Sequence, residues 1–322
     1  MISSGAPKIS NLTQEAADSI LSKHGKTFHW AKRFLGPTAA RQATLLYSFC
    51  RCLDDIADGD RVGGLQLLEQ IDTALEMGIV GDLAIDVPEL ETFLALSEEA
   101  SIPLTAARDL IAGLIFDQGT VAITDQDALV TYAYQVAGTV GLMMAPILGR
   151  ADQRADAFAI DLGIAMQLTN IARDVAEDAI MGRRYIPANW CETLTSAEIS
   201  ACIASQEPKT RAIISAGIVK ILDLSESYYR SGLSGLAYLP WQNHLAIGIA
   251  AKVYRAIGSK IVRCNYEWWR GRQVTSGPEK LIASAKSLPL LISRRKKPDF
   301  HDFDLHSPLK DIKSVRILRR CT

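Results

Sequence analysis

Gln167-Leu168-Thr169-Asn170-Ile171-Ala172-Arg173-Asp174-Val175-Ala176-Glu177-Asp178 closes a run without Pro that begins near Asp152, and the whole run reads as one helix. Residues four apart on a helix share a face. Asn170, Asp174 and Asp178 therefore form one stripe of oxygen ligands, with Gln167 at its edge. Like carboxylates at that spacing repel, so the stripe calls for a cation above it, and a hard divalent ion such as Mg²⁺ suits oxygen donors. Asp54-Asp55-Ile56-Ala57-Asp58 repeats the pattern, with Asp54 and Asp58 again four apart. Two such stripes facing each other across a pocket can hold several divalent ions, which suits a substrate carrying a diphosphate.

The rest of the composition is compatible with that reading. The chain has 322 residues, 48% hydrophobic and 22% charged, which describes a globular protein with a sizeable core. A net charge of −1 gives no global argument for nucleic-acid binding. The balance is uneven, because the stretch from Lys286 holds ten Lys/Arg against four Asp and leaves the preceding part net acidic. The six cysteines follow no disulfide or zinc spacing, and reduced thiols in a cytoplasmic protein are expected. Met1 to Gly5 opens no signal-peptide pattern. Val136 to Gly149, with three Gly and a Pro, reads as a buried, close-packed helix and not as a membrane span.

Taken in order, Ile9 to Phe34 is helical in pattern, with Thr13 as N-cap. Within it Lys23-His24-Gly25-Lys26-Thr27-Phe28 is either a solvated basic face or a set of phosphate donors. Pro37 starts a helix that runs to about Asp58, with Leu45, Leu46, Phe49 and Leu53 as its apolar face. Arg51 can pair with Asp55 or reach a phosphate; three Asp at the negative end of a helix dipole mark a functional site. Helices follow at Gly64 to Met77, Pro88 to Ala100 and Pro103 to Asp117, with Asp117 a further carboxylate near the pocket. Asp125 or Thr124 caps a helix through Tyr134 and Val136, where Gly138 and Gly141 permit a bend or a close approach. After Asp178, Gly182 to Pro187 is a turn and an extended piece whose Arg183 and Arg184 clamp a phosphate or neutralise the carboxylates. Pro208 to Arg230, Gln242 to Arg272 and Pro278 to Ser293 are further helices. No strand alternation is sustained. The expectation is an all-α domain over residues 1–293, a helical bundle around a central cavity, with residues 294–322 as a basic tail.

Paired acidic stripes also occur in di-iron bundles, but no Glu-x-x-His is present, and no calcium loop occurs. Ionisation of an allylic diphosphate remains, and it requires a dry apolar cavity beyond the acids.

The motifs carry a resemblance as well. Tyr47 to Asp58, Val136 to Met144, Leu168 to Asp178 and Gly182 to Pro187 resemble the motifs of the squalene/phytoene synthase family, in order, within a span from Lys23 to Lys280. The resemblance implies the isoprenoid synthase fold. It also implies head-to-head condensation of two geranylgeranyl diphosphates through prephytoene diphosphate to phytoene, with no NADPH. It implies Mg²⁺ (or Mn²⁺) on Asp54, Asp58, Asn170, Asp174 and Asp178, with the four Asp counted as catalytic. Diphosphate would be held by Lys26, Thr27, Arg51, Arg173, Tyr254 and Arg272, and Tyr134 would stand near the developing cation. Gly25 departs from the Ser common in relatives and removes one hydroxyl. A C30 enzyme using farnesyl diphosphate and an inactive scaffold are the alternatives. Long apolar substrates imply work at the inner face of a membrane, alongside downstream carotenoid enzymes, with Arg294-Arg295-Lys296-Lys297 available to anionic lipid.

Overall fold

The structure, a computed structural model, describes residues 32–273, 297–298 and 300–321. Thr13, the Lys23–Phe28 cluster with Lys26 and Thr27, and the expected helix at Pro278 to Ser293 lie outside the described residues. Among the described residues there is no strand, only an isolated bridge between Ala122 and Arg184. The expected all-α architecture is what is seen.

Helix α1 (Pro37–Ala57) has Pro37 in its first turn and buries Leu45, Leu46, Phe49 and Leu53. Its Phe49 ring stacks on Phe93 at 3.9 Å between centroids, which joins α1 to α3 (Pro88–Ala100). Between them lie α2 (Gly64–Met77) and a single helical turn, Leu83–Asp86. Then come α4 (Leu104–Phe116) and α5 (Gln126–Ala133). Asp125 caps α5, its carboxylate accepting from the Ala128 amide at 2.9 Å. A π-helical turn, Tyr134–Gly138, follows and runs into α6 (Thr139–Ile147). The continuous stretch Gln126–Ile147 is long and apolar enough to cross a membrane by length and composition, yet 61% of its window is buried in the bundle.

The long helix α7 (Ala155–Ile180) is the central element. It packs on α6, on α9 (Pro208–Gly235) and on α10 (Trp241–Arg263). Helix α8 (Ser196–Ser205) begins with a capping box between Thr195 and Glu198. Small residues let the backbones meet. A Cβ on Gly141 would fall 2.2 Å from the Ala159 carbonyl oxygen, and one on Gly163 would fall 2.3 Å from that of Ala137. Of the two glycines read as permitting a bend or a close approach, Gly141 meets the backbone of α7 and Gly138 meets its Ile160 and Ile164 side chains, so a close approach is what is seen.

Two expectations change. Helix α10 ends at Arg263, and Asn265 and Tyr266 turn the chain with φ of 51° and 56°, so Arg272 stands beyond a turn and not on the helix. The residues after Arg294 are not a tail where they are described. His301, His306, Leu309 and Val315 are buried, Phe303–Leu309 forms a 3₁₀ stretch against α5, and α11 (Lys313–Cys321) lies on α4 and α7. The cause is a set of long-range hydrogen bonds. Asp161 of α7 meets His301 Nε2 at 2.6 Å and His306 Nε2 at 2.7 Å, and the Tyr228 hydroxyl donates to the Leu305 carbonyl at 2.7 Å.

Candidate active site

The last two turns of α1 carry Arg51, Asp54, Asp55 and Asp58. Arg51 makes the i,i+4 pair with Asp55 and stands 3.9 Å from Asp60, while its Nε is buried with no hydrogen-bond partner among the described residues. The Gln118 side chain donates to the Ala57 carbonyl at 2.7 Å. That bond closes the end of α1 and brings the end of α4 beside it, with Asp117 in train. Asp117 accepts from Tyr132 at 2.8 Å and from Tyr185 at 2.9 Å.

On α7 the stripe is as the periodicity requires. Arg173 holds the adjacent Asp174 by two bonds of 2.7 and 2.6 Å. Arg272 reaches the same carboxylate at 3.0 Å in spite of its different backbone position, and its Nη1 is 3.8 Å from Glu177. Asn170 donates to Gln167 at 3.3 Å, but its Oδ1 is buried with no hydrogen-bond partner among the described residues.

The two stripes share one electrostatic field. Burial pushes the Asp54 carboxyl up to about 7; Arg51 opposes the rise, and Asp58, Asp55 and Asp117 add to it. Burial likewise pushes Asp178 to about 7, with Asp174 and Asp117 adding and Arg183 opposing. Asp117, itself raised by burial, is the carboxylate both stripes feel. An orphaned amide oxygen on Asn170 and carboxyls pushed up first by burial and then by one another are what a hard cation would relieve, so the residues fit a divalent ion that takes oxygen ligands.

The two arginines after α7 divide their work. Arg184 is buried and donates to the Ile123 and Ile186 carbonyls at 2.8 and 2.5 Å. Its backbone pairs with Val121 and Ile123. This anchor sets the neighbouring Arg183 over a pocket lined by Asp54, Asp58, Asp117, Gln118 and Tyr132. The pocket shares Val136 and Gln167 with a larger apolar cavity of about 1330 Å³, open mouth included. That cavity follows α7 from Asn170 back to Ala155, about 22 Å at the helical rise per residue. Tyr47, Cys50 and Tyr254 line it beside Asn170. Tyr254 also senses Arg173 and Arg272, which partly offset the rise that burial imposes on its hydroxyl.

Of the residues expected at the site, Asp54 and Asp58 line the acidic pocket, Asn170 and Tyr254 line the apolar cavity, and Arg173, Asp174 and Arg272 form one ion cluster. Arg51, by contrast, lines a separate pocket with Asp55 and Asp60, and Asp178 lines one with Arg183 and Tyr185. Tyr134 is not among the residues lining the cavity. Its ring is wholly buried and its hydroxyl bonds Asp109 at 2.9 Å and Ser314.

Residues 21–279 match the family model for squalene/phytoene synthase. The chain belongs to the squalene/phytoene synthase family. Among members of this family, the 15-cis-phytoene synthase of Enterobacter agglomerans is 38% identical over 267 residues, 80% of this chain and 88% of its own. The 15-cis-phytoene synthase of Pantoea ananas is 36% identical over 281 residues, 84% of this chain and 89% of its own. A crystal structure of a dehydrosqualene synthase in complex with ligand superposes with a TM-score of 0.74 at 25% identity, covering 87% of this chain and 97% of that one. Family membership makes the chain a prenyltransferase-type enzyme acting on prenyl diphosphates with a divalent metal.

The sequence reading passed over the cluster of Asp161, His301 and His306. Its signal was present, since two of the five histidines stand within six residues of each other in an otherwise basic stretch.

Proposed function

We propose that this protein acts as a 15-cis-phytoene synthase, condensing two geranylgeranyl diphosphates head to head through prephytoene diphosphate to phytoene, with Mg²⁺. The observation that carries the reading is the joining of the acidic pocket to the long apolar cavity through Val136 and Gln167. It matches a substrate with a charged head and a long hydrocarbon chain, and the similarity to two bacterial 15-cis-phytoene synthases supports the same product.

Asp54, Asp58, Asn170, Asp174 and Asp178 would hold Mg²⁺, which neutralises charge on a departing diphosphate. Arg183, which lines the acidic pocket, would supply a cationic donor to the diphosphate; Arg51, Arg173, Arg272, Lys26 and Thr27 are assigned the same task from the resemblance. The cavity excludes water through its aliphatic, Met and Gly lining, so an allylic cation formed at the mouth is not quenched. The rings of Tyr47 and Tyr254, at the polar end, offer π faces to positive charge there. Rearrangement of the cyclopropyl intermediate to phytoene takes no hydride, so no NADPH is required. The enzyme would work in the cytoplasm at the inner face of a membrane that stores its product and meets the downstream carotenoid enzymes.

Purified protein with Mg²⁺ or Mn²⁺ and either farnesyl or geranylgeranyl diphosphate tests the reading by product chromatography. Phytoene from the longer substrate is expected. A C30 product alone would instead favour the farnesyl-using alternative, the activity named for the similar dehydrosqualene synthase. Absence of any product would leave the scaffold alternative.

A further inference from the structure

Phe158 lies near the start of α7, twelve residues from Asn170, at the end of the cavity remote from the acids. It lines that cavity with Ala155, Leu148, Leu236 and Leu239. A Cβ on Gly235 would fall 2.1 Å from the Phe158 Cβ, so α9 offers the ring no room to retreat on that side. On its other sides the ring is backed by residues outside the cavity. Tyr238 stacks on it at 6.0 Å and His301 meets it edge-on at 5.0 Å. Both backers are themselves tied down. Tyr238 donates its hydroxyl to the Pro298 carbonyl at 2.5 Å. His301 is held by Asp161, only three residues from Phe158, and the same carboxylate also takes His306 and Ser231. The N···O separations of 2.6 and 2.7 Å are hydrogen-bond lengths, and burial of all three groups removes competition from water.

Resting on the prenyl-chain reading of the cavity, we infer that Phe158 is the stop that limits how long a hydrocarbon chain the enzyme accepts, and that Tyr238 and His301, held by Pro298 and Asp161, are its fixed backing. An aromatic ring with rigid support behind it rejects an additional isoprene unit by overlap; the same ring without support can turn aside. His301 is accordingly a positioning residue.

The test compares wild type, Phe158→Ala, Phe158→Leu and His301→Ala with C15, C20 and C25 prenyl diphosphates under Mg²⁺. It also measures binding of the unreactive C20 and C25 thiolodiphosphates. Phe158→Ala is expected to raise the C25:C20 ratio of kcat/KM, and of binding, by about tenfold or more. Phe158→Leu should do so by less, with His301→Ala moving the ratio in the same direction. An unchanged C25:C20 binding ratio in both Phe158 variants overturns the inference, even where turnover is normal. Failure of wild type to condense any of the three substrates would instead count against the proposed activity, and the binding ratio would still decide the stop. Phe158→Leu keeps most of the buried volume and carries the test if Phe158→Ala does not fold.

Discussion

Tyr185 donates its hydroxyl to Asp117 at 2.9 Å, joining the extended piece after α7 to the end of α4. The second donor, Tyr132, stacks on the Tyr185 ring at 4.8 Å, so the two phenols act as one bracket around a carboxylate that both acidic stripes sense. Tyr185→Phe leaves Asp117 with one of its two donors. A hydrogen bond to a charged group is worth about 1.5–3 kcal/mol. Thermal unfolding should report a loss of about that size, and Mg²⁺ titration should show weaker ion binding; unchanged values in both would remove Asp117 from the site.

Asp54→Asn and Asp178→Asn should each abolish turnover at saturating Mg²⁺. In metal-free protein at neutral pH both should raise the melting temperature, because each removes a buried carboxylate set among like charges. Asp174→Ala should also be inactive, but it releases Arg173 and Arg272 from a shared partner and should not gain stability. A variant of Asp54 with retained turnover rejects its assignment as a ligand.

The pH dependence has a definite sign. Asp54 and Asp178 bind protons more tightly when folded, at about 7 against the 3.8 of an ordinary aspartate. Between those values the native state holds more protons than the unfolded chain, so these groups make the metal-free protein less stable as pH rises through that window. Mg²⁺ must displace the same protons. Its affinity should therefore fall as pH drops through about 7, and calorimetry in buffers of different ionisation heat should show proton release.

Arg183 and Arg184 are adjacent in sequence and opposite in role. Arg184→Ala orphans two carbonyls and should cost about 3 kcal/mol, judged from hydrogen bonds made by a charged group. Arg183→Ala should leave the melting temperature nearly unchanged and lower kcat/KM, because its side chain lines the acidic pocket. Equal effects of both variants on stability would refute the division.

The glycines make a similar contrast. Gly163→Ala sets a methyl against the Ala137 carbonyl oxygen at 2.3 Å and should cost about 3 kcal/mol or more. Gly258→Ala in α10 meets only the flexible tip of Leu222 at 3.3 Å, and its gain in helix propensity of up to about 1 kcal/mol should hold the net effect near zero. Denaturant unfolding of the pair decides it.

Helices α1 and α7 were legible because Pro37, an apolar period and carboxylates four apart all act locally. Asp117 was legible as a carboxylate at a helix end, but its partners were not, since Tyr132 and Tyr185 reach it from other elements. The residues after Arg294 misled because charge and Pro dominate their composition, while His301, His306, Leu309 and Val315 are too sparse to show a period. Their burial depends on partners distant in sequence, Asp161 for the two histidines and Tyr228 for the Leu305 carbonyl. Tyr134 shows a further limit: a motif can assign a position along the chain, but the hydroxyl turned toward Asp109 is set by what packs behind it.

Helix α7 carries the acidic stripe at one end and Phe158 at the other, and Gly141 and Gly163 let its backbone press against α6 and the π-helical turn before it with no side chain between. It therefore works as a ruler that is clamped and cannot slide. A substitution that shifted it by one residue would move the head-group site and the chain stop together, leaving their separation the same. A change of accepted substrate length must come from side chains along the ruler, not from moving the ruler itself.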